Sequence, residues 1–206
     1  KDRNTIYGVT LGGPIIKNKL FFFVNYEYEK TPTVANRWRA SEDGVMDADN
    51  YVSRATVEDL QKVSDFVKQK YGYNTGSFTN FPADESNRKI LARLDWNINK
   101  DHHLAVRYNY TLDKAWNSPN GSSMDGGTRS PEYRMSKYGM SYANSMYSLD
   151  KLVHSFSFDL NSRFGDKISN QFLATYSKMD DVRGSNSDPF PFIDIMYTDE
   201  NGVNQL

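Results

Sequence analysis

No cysteine occurs among the 206 residues. That absence excludes a disulfide framework, thiol catalysis and thiolate metal sites, and it leaves the compartment open. Histidine is scarce, with three residues, and the charges nearly cancel: 25 Lys and Arg against 26 Asp and Glu leave a net charge of −1. No basic footprint for nucleic acid is present. Long apolar runs are missing too. The longest, Leu20 to Val24, falls far short of the roughly 20 residues a spanning helix needs. There is no Gly-x-Ser-x-Gly elbow, no phosphate loop and no His-Glu-x-x-His, so no residue stands out as catalytic and no cofactor is expected. A signal peptide is lacking as well: the chain starts at Lys1 without Met, close to a strand, and ends on Asn-Gly-Val-Asn-Gln-Leu. The expectation is a piece cut from a larger protein at both ends.

What the chain does have is aromatic side chains: 14 Tyr, 12 Phe and 3 Trp beside a mean hydropathy of −0.72. The aromatics argue against disorder and the hydropathy against a helical membrane protein. A transmembrane β-barrel combines the two, because half of each strand is polar. The stretch Thr5–Tyr28 shows how. Gly12, Gly13 and Pro14 are expected to stop a first β-rich run, with Lys17, Asn18 and Lys19 at the tip of a hairpin. In the second run Leu20, Phe22, Val24, Tyr26 and Tyr28 share one face by period 2. Phe21, Phe23, Asn25, Glu27 and Glu29 share the other. A soluble sandwich strand and a lipid-facing barrel strand both fit this alternation. The expected register sets Leu11 opposite Leu20, Gly8 opposite Phe23 and Thr10 opposite Phe21. Small residues facing large rings suit either packing against an internal plug or ordinary complementarity.

Two further hairpins follow. Lys89–Ile98 and His103–Thr111 alternate around a turn at Lys100-Asp101-His102, with Leu94, Trp96, Val106 and Tyr108 on the apolar face and Arg93, Asp95, Arg107 and Asn109 on the polar one. The expected register sets Asp95 opposite Arg107. Lys151–Arg163 and Ile168–Met179 alternate around Phe164-Gly165-Asp166-Lys167, with Phe156 and Phe158 opposite in facing to Asp159 and Asn161. Between hairpins lie long polar connections, about 30–88, 112–150 and from 180 onward. Pro119, Asn120-Gly121, Asp125-Gly126-Gly127 and Pro131 mark the second as irregular, with a strand extension conceivable near Tyr138–Ala143. The first contains one helix, Val57–Tyr71. Thr56 can cap it, Val57, Leu60, Val63, Phe66 and Val67 form its stripe, and Gly72 ends it.

Short turns within hairpins and long loops between them are the outer-membrane barrel layout, and soluble sandwiches lack the asymmetry. Six strands do not close a barrel carrying such loops. The fold class is therefore all-β: an antiparallel transmembrane β-barrel segment of three hairpins, about 5–29, 89–111 and 151–179. Lumen-facing polar candidates are Asn25, Glu27, Arg93, Asp95, Arg107, Asn109, Asp159 and Asn161. Loop binding candidates are Trp38, Trp116, Tyr133 and Tyr138. His102 and His103 read as solvated turn residues, and His154 as interfacial. Asp47, Asp49 and Asn50 have calcium-type oxygens but no complete loop motif, so a solvated acidic loop is the simpler reading and no metal is expected.

Gly12-Gly13-Pro14-Ile15-Ile16-Lys17-Asn18-Lys19-Leu20-Phe21-Phe22-Phe23-Val24-Asn25-Tyr26-Glu27 resembles the early-barrel hairpin of TonB-dependent outer-membrane receptors, nearest the Oar-like and SusC-like receptors of Bacteroidetes. Asn87–Asn99 with His103–Tyr110 resembles the next hairpin, and Asp188-Pro189-Phe190-Pro191-Phe192 a loop segment of the same group. The resemblance implies a barrel of 22 strands in the outer membrane of a Gram-negative bacterium, with long extracellular loops. It implies import or other translocation of a bulky solute such as a peptide or glycan. The partners it implies are outer-membrane lipid, the rest of the barrel, a plug domain, TonB, and a surface lipoprotein or ligand. The plug and the TonB-contacting box are absent from these residues. A passive porin or surface adhesin on a similar barrel, and a soluble all-β carbohydrate-binding module, are the alternatives. The loops are expected to form an ordered cap over the barrel mouth with the helix as its core.

Overall fold

In the computed structural model the described residues are 3–34, 37–117, 134–191, 193, 195, 197–198 and 204–205. Six long strands form one antiparallel meander: β1 (Thr5–Ile16), β2 (Leu20–Thr31), then, after two short strands and a helix, β5 (Glu85–Asn97), β6 (His102–Asn117), β7 (Tyr147–Phe164) and β8 (Ile168–Gly184). The short elements are β3 (Arg39–Ser41), β4 (Val52–Thr56), α1 (Val57–Tyr71) and a pair, β9 (Tyr197–Thr198) and β10 (Asn204–Gln205). The chain divides into two units. One holds residues 1–32, 85–115 and 149–182; the other holds 33–84, 116–148 and 183–206.

In the sheet unit the three short turns lie at one end. Asn97 donates its backbone N–H to Lys19 O and its side-chain amide to Asn18 O. Asp101 accepts from the Arg163 guanidinium at 2.8 and 3.0 Å and, through its carbonyl, from the Arg163 N–H. His102 and His103 are engaged rather than merely solvated. His102 packs edge-on to Phe164 at 5.6 Å, and His103 Nδ1 lies 2.8 Å from Asn97 Oδ1. The long connections leave from the opposite strand ends.

The strands run further than their alternation suggests, and two registers differ from expectation. Gly12, Gly13 and Pro14 do not stop β1, which continues to Ile16 with an irregularity between Pro14 and Ile16. Proline is tolerated at such a bulge because no ladder N–H is needed there. Extending β1 by four residues slides its partner by four. Leu11 faces Val24, Gly8 faces Glu27, Thr10 faces Asn25, and Gly12 takes the place opposite Phe23. A Cβ on Gly12 would sit 3.2 Å from Phe23 Cδ2 and from Phe22 O. The large-to-small complementarity is real, two same-face pairs further along β1 than expected. In the second hairpin Arg93, not Asp95, faces Arg107, and Asp95 faces Ala105. An even-numbered slip keeps every side chain on its face, so periodicity alone was blind to it.

The second unit folds around Phe81, Ala83, Met135 and Met146, with Trp116 and Ala143 packed against them. Helix α1 begins at Thr56, whose hydroxyl accepts from Asp59 N–H at 3.0 Å, and ends at Gly72 with φ +69°, the left-handed region that only glycine enters freely. Leu60 and Val67 are buried, whereas Phe66 stays exposed. Tyr142 O–H donates to Leu60 O at 2.7 Å, and Ser64 and Thr75 hydroxyls meet at 2.8 Å. Asn144 and Ala143 donate backbone N–H groups to Thr75 O and Ser77 O, and Arg54 N–H donates to Lys137 O. Tyr73 stacks on Phe190 at 4.1 Å. Segments from all three long connections thus share hydrogen bonds and ring contacts. Residues 136–145 form a bridge and a short 3-10 helix (Ala143–Ser145) instead of a strand extension.

Burial pushes the Tyr142 phenol up to about 12. A raised folded-state value means that the contribution of the neutral phenol is full below about pH 10 and is lost as the pH rises through about 12. Replacing Tyr142 with Phe removes one donated hydrogen bond, with an expected cost of about 1 kcal/mol to the loop unit. Thermal melts from pH 8 to 12 check this: the variant starts lower and loses less on the alkaline side than the wild type.

Candidate functional site

The registers sort the sheet into two faces of different chemistry. On one face the rows read Gly13-Phe22-Leu94-Val106, Leu11-Val24-Ala92-Tyr108, Val9-Tyr26-Ile90-Tyr110 and Tyr7-Tyr28-Arg88-Leu112. Rings continue the surface across the remaining strands. Tyr108 lies 4.7 Å from Phe156 and donates to or accepts from His154 Nδ1 at 2.8 Å, and Phe158 meets Phe172 edge-on. Tyr7 and Tyr28 stack at 6.1 Å with the Arg88 guanidinium over Tyr28. The next row is polar: Thr5, Lys30, Ser86 and Lys114, the last 3.8 Å from Asp150. The apolar part of β2, Leu20 to Tyr28, has the length that a membrane-spanning strand tilted about 45° needs, roughly 9–11 residues.

The opposite face collects Asn25, Glu27, Arg93, Asp95, Arg107, Asn109, Asp159 and Asn161. The first six share it through the registers of β2, β5 and β6. Arg93 grips Asp95 with Nε and Nη2, at 2.6 to 3.0 Å. Lys89 Nζ is 2.9 Å from Glu27, and Thr10 donates to Asn25 at 2.8 Å. Gln171 donates to both oxygens of Asp159, at 3.0 and 3.1 Å, and Asn161 donates to the same carboxylate. Most of these groups are exposed, so each ion pair contributes well under 1 kcal/mol. Their effect is a wet, mixed-charge surface.

The loop candidates have separate fates. Trp38 sits against Tyr51 edge-on at 5.5 Å and lines a cleft of about 530 Å³ with Arg39, Glu42, Asp43, Thr79 and Asn80 among others. Tyr138 has two cations over its ring, Arg54 at 5.3 Å and Lys137 at 4.9 Å, and its carbonyl accepts from Arg54 Nε. Trp116 is not a loop residue. It belongs to β6 and packs on the Phe81 cluster, a structural position that the strand's length created. Tyr133, like Phe192 and the breakers from Pro119 to Pro131, lies outside the described residues. Asp47 ties its own turn together. Its carboxylate accepts from the Asn50 amide at 2.7 Å and from the N–H groups of Asp49 and Asn50. The Asn50 side chain and these N–H groups, with the Arg39 charge, hold it below the usual carboxylate range.

An apolar face of spanning length bordered by tyrosines, a wet opposite face, and turns confined to one end are the marks of a barrel wall. Residues 1–41 match the outer membrane beta barrel domain. The sheet is a segment of an outer-membrane β-barrel, and its place is the outer membrane of a Gram-negative bacterium. Over 112 residues, 51% of the chain, the barrel segment is 29% identical to the TonB-dependent transporter Oar of Myxococcus xanthus, and it spans 9% of that protein. No solved structure matches it. The sheet does not close within these residues, and β1 and β8 are its edges.

Proposed function

We propose that this barrel segment belongs to a TonB-dependent transporter of the Oar-like and SusC-like group, of Bacteroidetes type, that imports or otherwise translocates a bulky solute such as a peptide or glycan. The similarity to a TonB-dependent transporter over half of the chain carries the reading. The face chemistry supports it: the apolar face meets lipid, and the face with Arg93, Asp95, Arg107 and Asp159 lines the lumen and receives a plug. The edges of β1 and β8 take up the rest of a barrel of 22 strands. TonB acts through the plug's N-terminal part, and the long loops lie on the extracellular side, where they recognise or gate the solute or bind a surface lipoprotein.

The deciding experiment measures accumulation of fluorescently labelled peptides and oligosaccharides in cells carrying the full-length protein, with and without TonB. Uptake that disappears without TonB is the expected result. Uptake that persists without TonB makes the protein a passive porin, and surface retention with no uptake in either strain makes it an adhesin.

A further inference from the structure

We infer that the cleft beside Trp38 binds a cationic side chain, the ammonium of lysine or the guanidinium of arginine, presented by an extracellular polypeptide. The inference deepens the transport reading by giving a substrate class to one of its loop surfaces. The cleft, about 530 Å³, lies in the range of small-ligand sites, roughly 300–1,000 Å³. Its apolar wall is the Trp38 indole, the best aromatic partner for a cation.

That wall is held in place at a conformational cost. Tyr51, whose ring braces Trp38 at 5.5 Å, has φ +56°, which a bulky side chain seldom adopts. The turn that imposes it is tied by the Asp47 carboxylate and by Arg39 N–H donating to Tyr51 O at 2.8 Å. Asn80, which also lines the cleft, has positive φ, +44°. Among the described residues only three non-glycine positions do so; one, Asn80, lines this cleft and another, Tyr51, braces its Trp38 wall. Backbone strain of about 1–3 kcal/mol per residue persists where the surroundings enforce it, and it concentrates at binding sites.

The charge of the lining is negative once its internal partners are counted. Arg39 points its Nη2 to Asn50 O at 3.3 Å and its charge acts on Asp47, outside the lining. Asp43 accepts from the Ser41 hydroxyl and from Val45 N–H, with no cation paired to it among the described residues. Glu42 makes no hydrogen bond or ion pair with a described residue. The amino end of α1 reaches the cleft at Val57, where Thr56, Glu58 and Asp59 already satisfy its dipole. An indole beside a carboxylate that has no partner among the described residues suits a cation better than a neutral sugar.

The test is calorimetric titration of the full-length protein in detergent micelles at low salt. The probes are N-acetyl-Gly-Lys-Gly-amide, the same peptide with norleucine, and maltotriose. Glu42→Gln preserves size and Trp38→Ala removes the wall; tryptic protection of the loops shows that each variant is folded. Binding of the lysine peptide is expected, weakened at least fivefold by either substitution and by 0.5 M salt, with no binding of the norleucine peptide. Equal binding of the norleucine peptide, an unchanged Glu42→Gln variant, binding of maltotriose alone, or no binding of any probe overturns the inference. TonB plays no part in this titration, so lysine-peptide binding with TonB-independent uptake would refute the transport reading and leave this site standing.

Discussion

Arginine in place of Val24 lowers the stability of the folded barrel by about 2–4 kcal/mol, whereas arginine in place of its neighbour Asn25 costs far less. Val24 belongs to the central row of the apolar face, Leu11-Val24-Ala92-Tyr108, with two rows to either side before the band ends at Leu20 and Tyr28. A guanidinium there is held at the bilayer midplane, where its desolvation is greatest. Asn25 faces the other way, between Thr10 and Leu91 in register, on the surface that already carries Arg93 and Arg107. Val106, which looks central within its own strand, lies one row nearer the turns and should respond less strongly than Val24. Equilibrium unfolding of the full-length protein in lipid vesicles reads these differences. Equal costs at Val24 and Asn25 would mean that the apolar face does not meet lipid.

Aspartate in place of Leu60 removes the loop unit's protection while leaving the ladder intact. Leu60 is 9% exposed, and its backbone carbonyl receives the Tyr142 hydroxyl. Losing a buried leucine costs about 2–5 kcal/mol, and an unpaired carboxylate in its place adds desolvation. An isolated helix as short as α1 is marginal in water, so undocking melts it. Hydrogen exchange on the full-length protein is the measurement. Amides of Glu58–Lys70 should approach random-coil rates in the variant, while those of β2, β5 and β6 keep their wild-type protection. Random-coil exchange at these amides in the wild type would mean that the helix is not docked at all.

Local chemistry made much of this legible in the sequence. Period-2 alternation put Phe22, Leu94, Val106 and Tyr108 on one face and Arg93, Asp95 and Arg107 on the other, because facing depends only on residue parity. Thr56, Asp59 and Gly72 marked the ends of α1, because capping satisfies backbone groups within one turn of the chain. Breakers were less reliable. Gly12, Gly13 and Pro14 looked like an ending, yet pairing with β2 carried the strand through them. Trp116 looked like a loop residue until β6 extended to Asn117 and the Phe81 cluster gathered around it.

The sequence by itself determined the strands, their two-faced chemistry, the helix and the unequal lengths of turns and loops. Each follows from intrinsic geometry and from the polarity of neighbours in the chain. Only the tertiary structure decided that Leu11 meets Val24 and Arg93 meets Arg107, that Trp38 shares a cleft with Asn80, and that Tyr142 reaches Leu60. Register and loop packing compare pairings of nearly equal local energy. The choice falls to long-range contacts that no stretch of sequence contains.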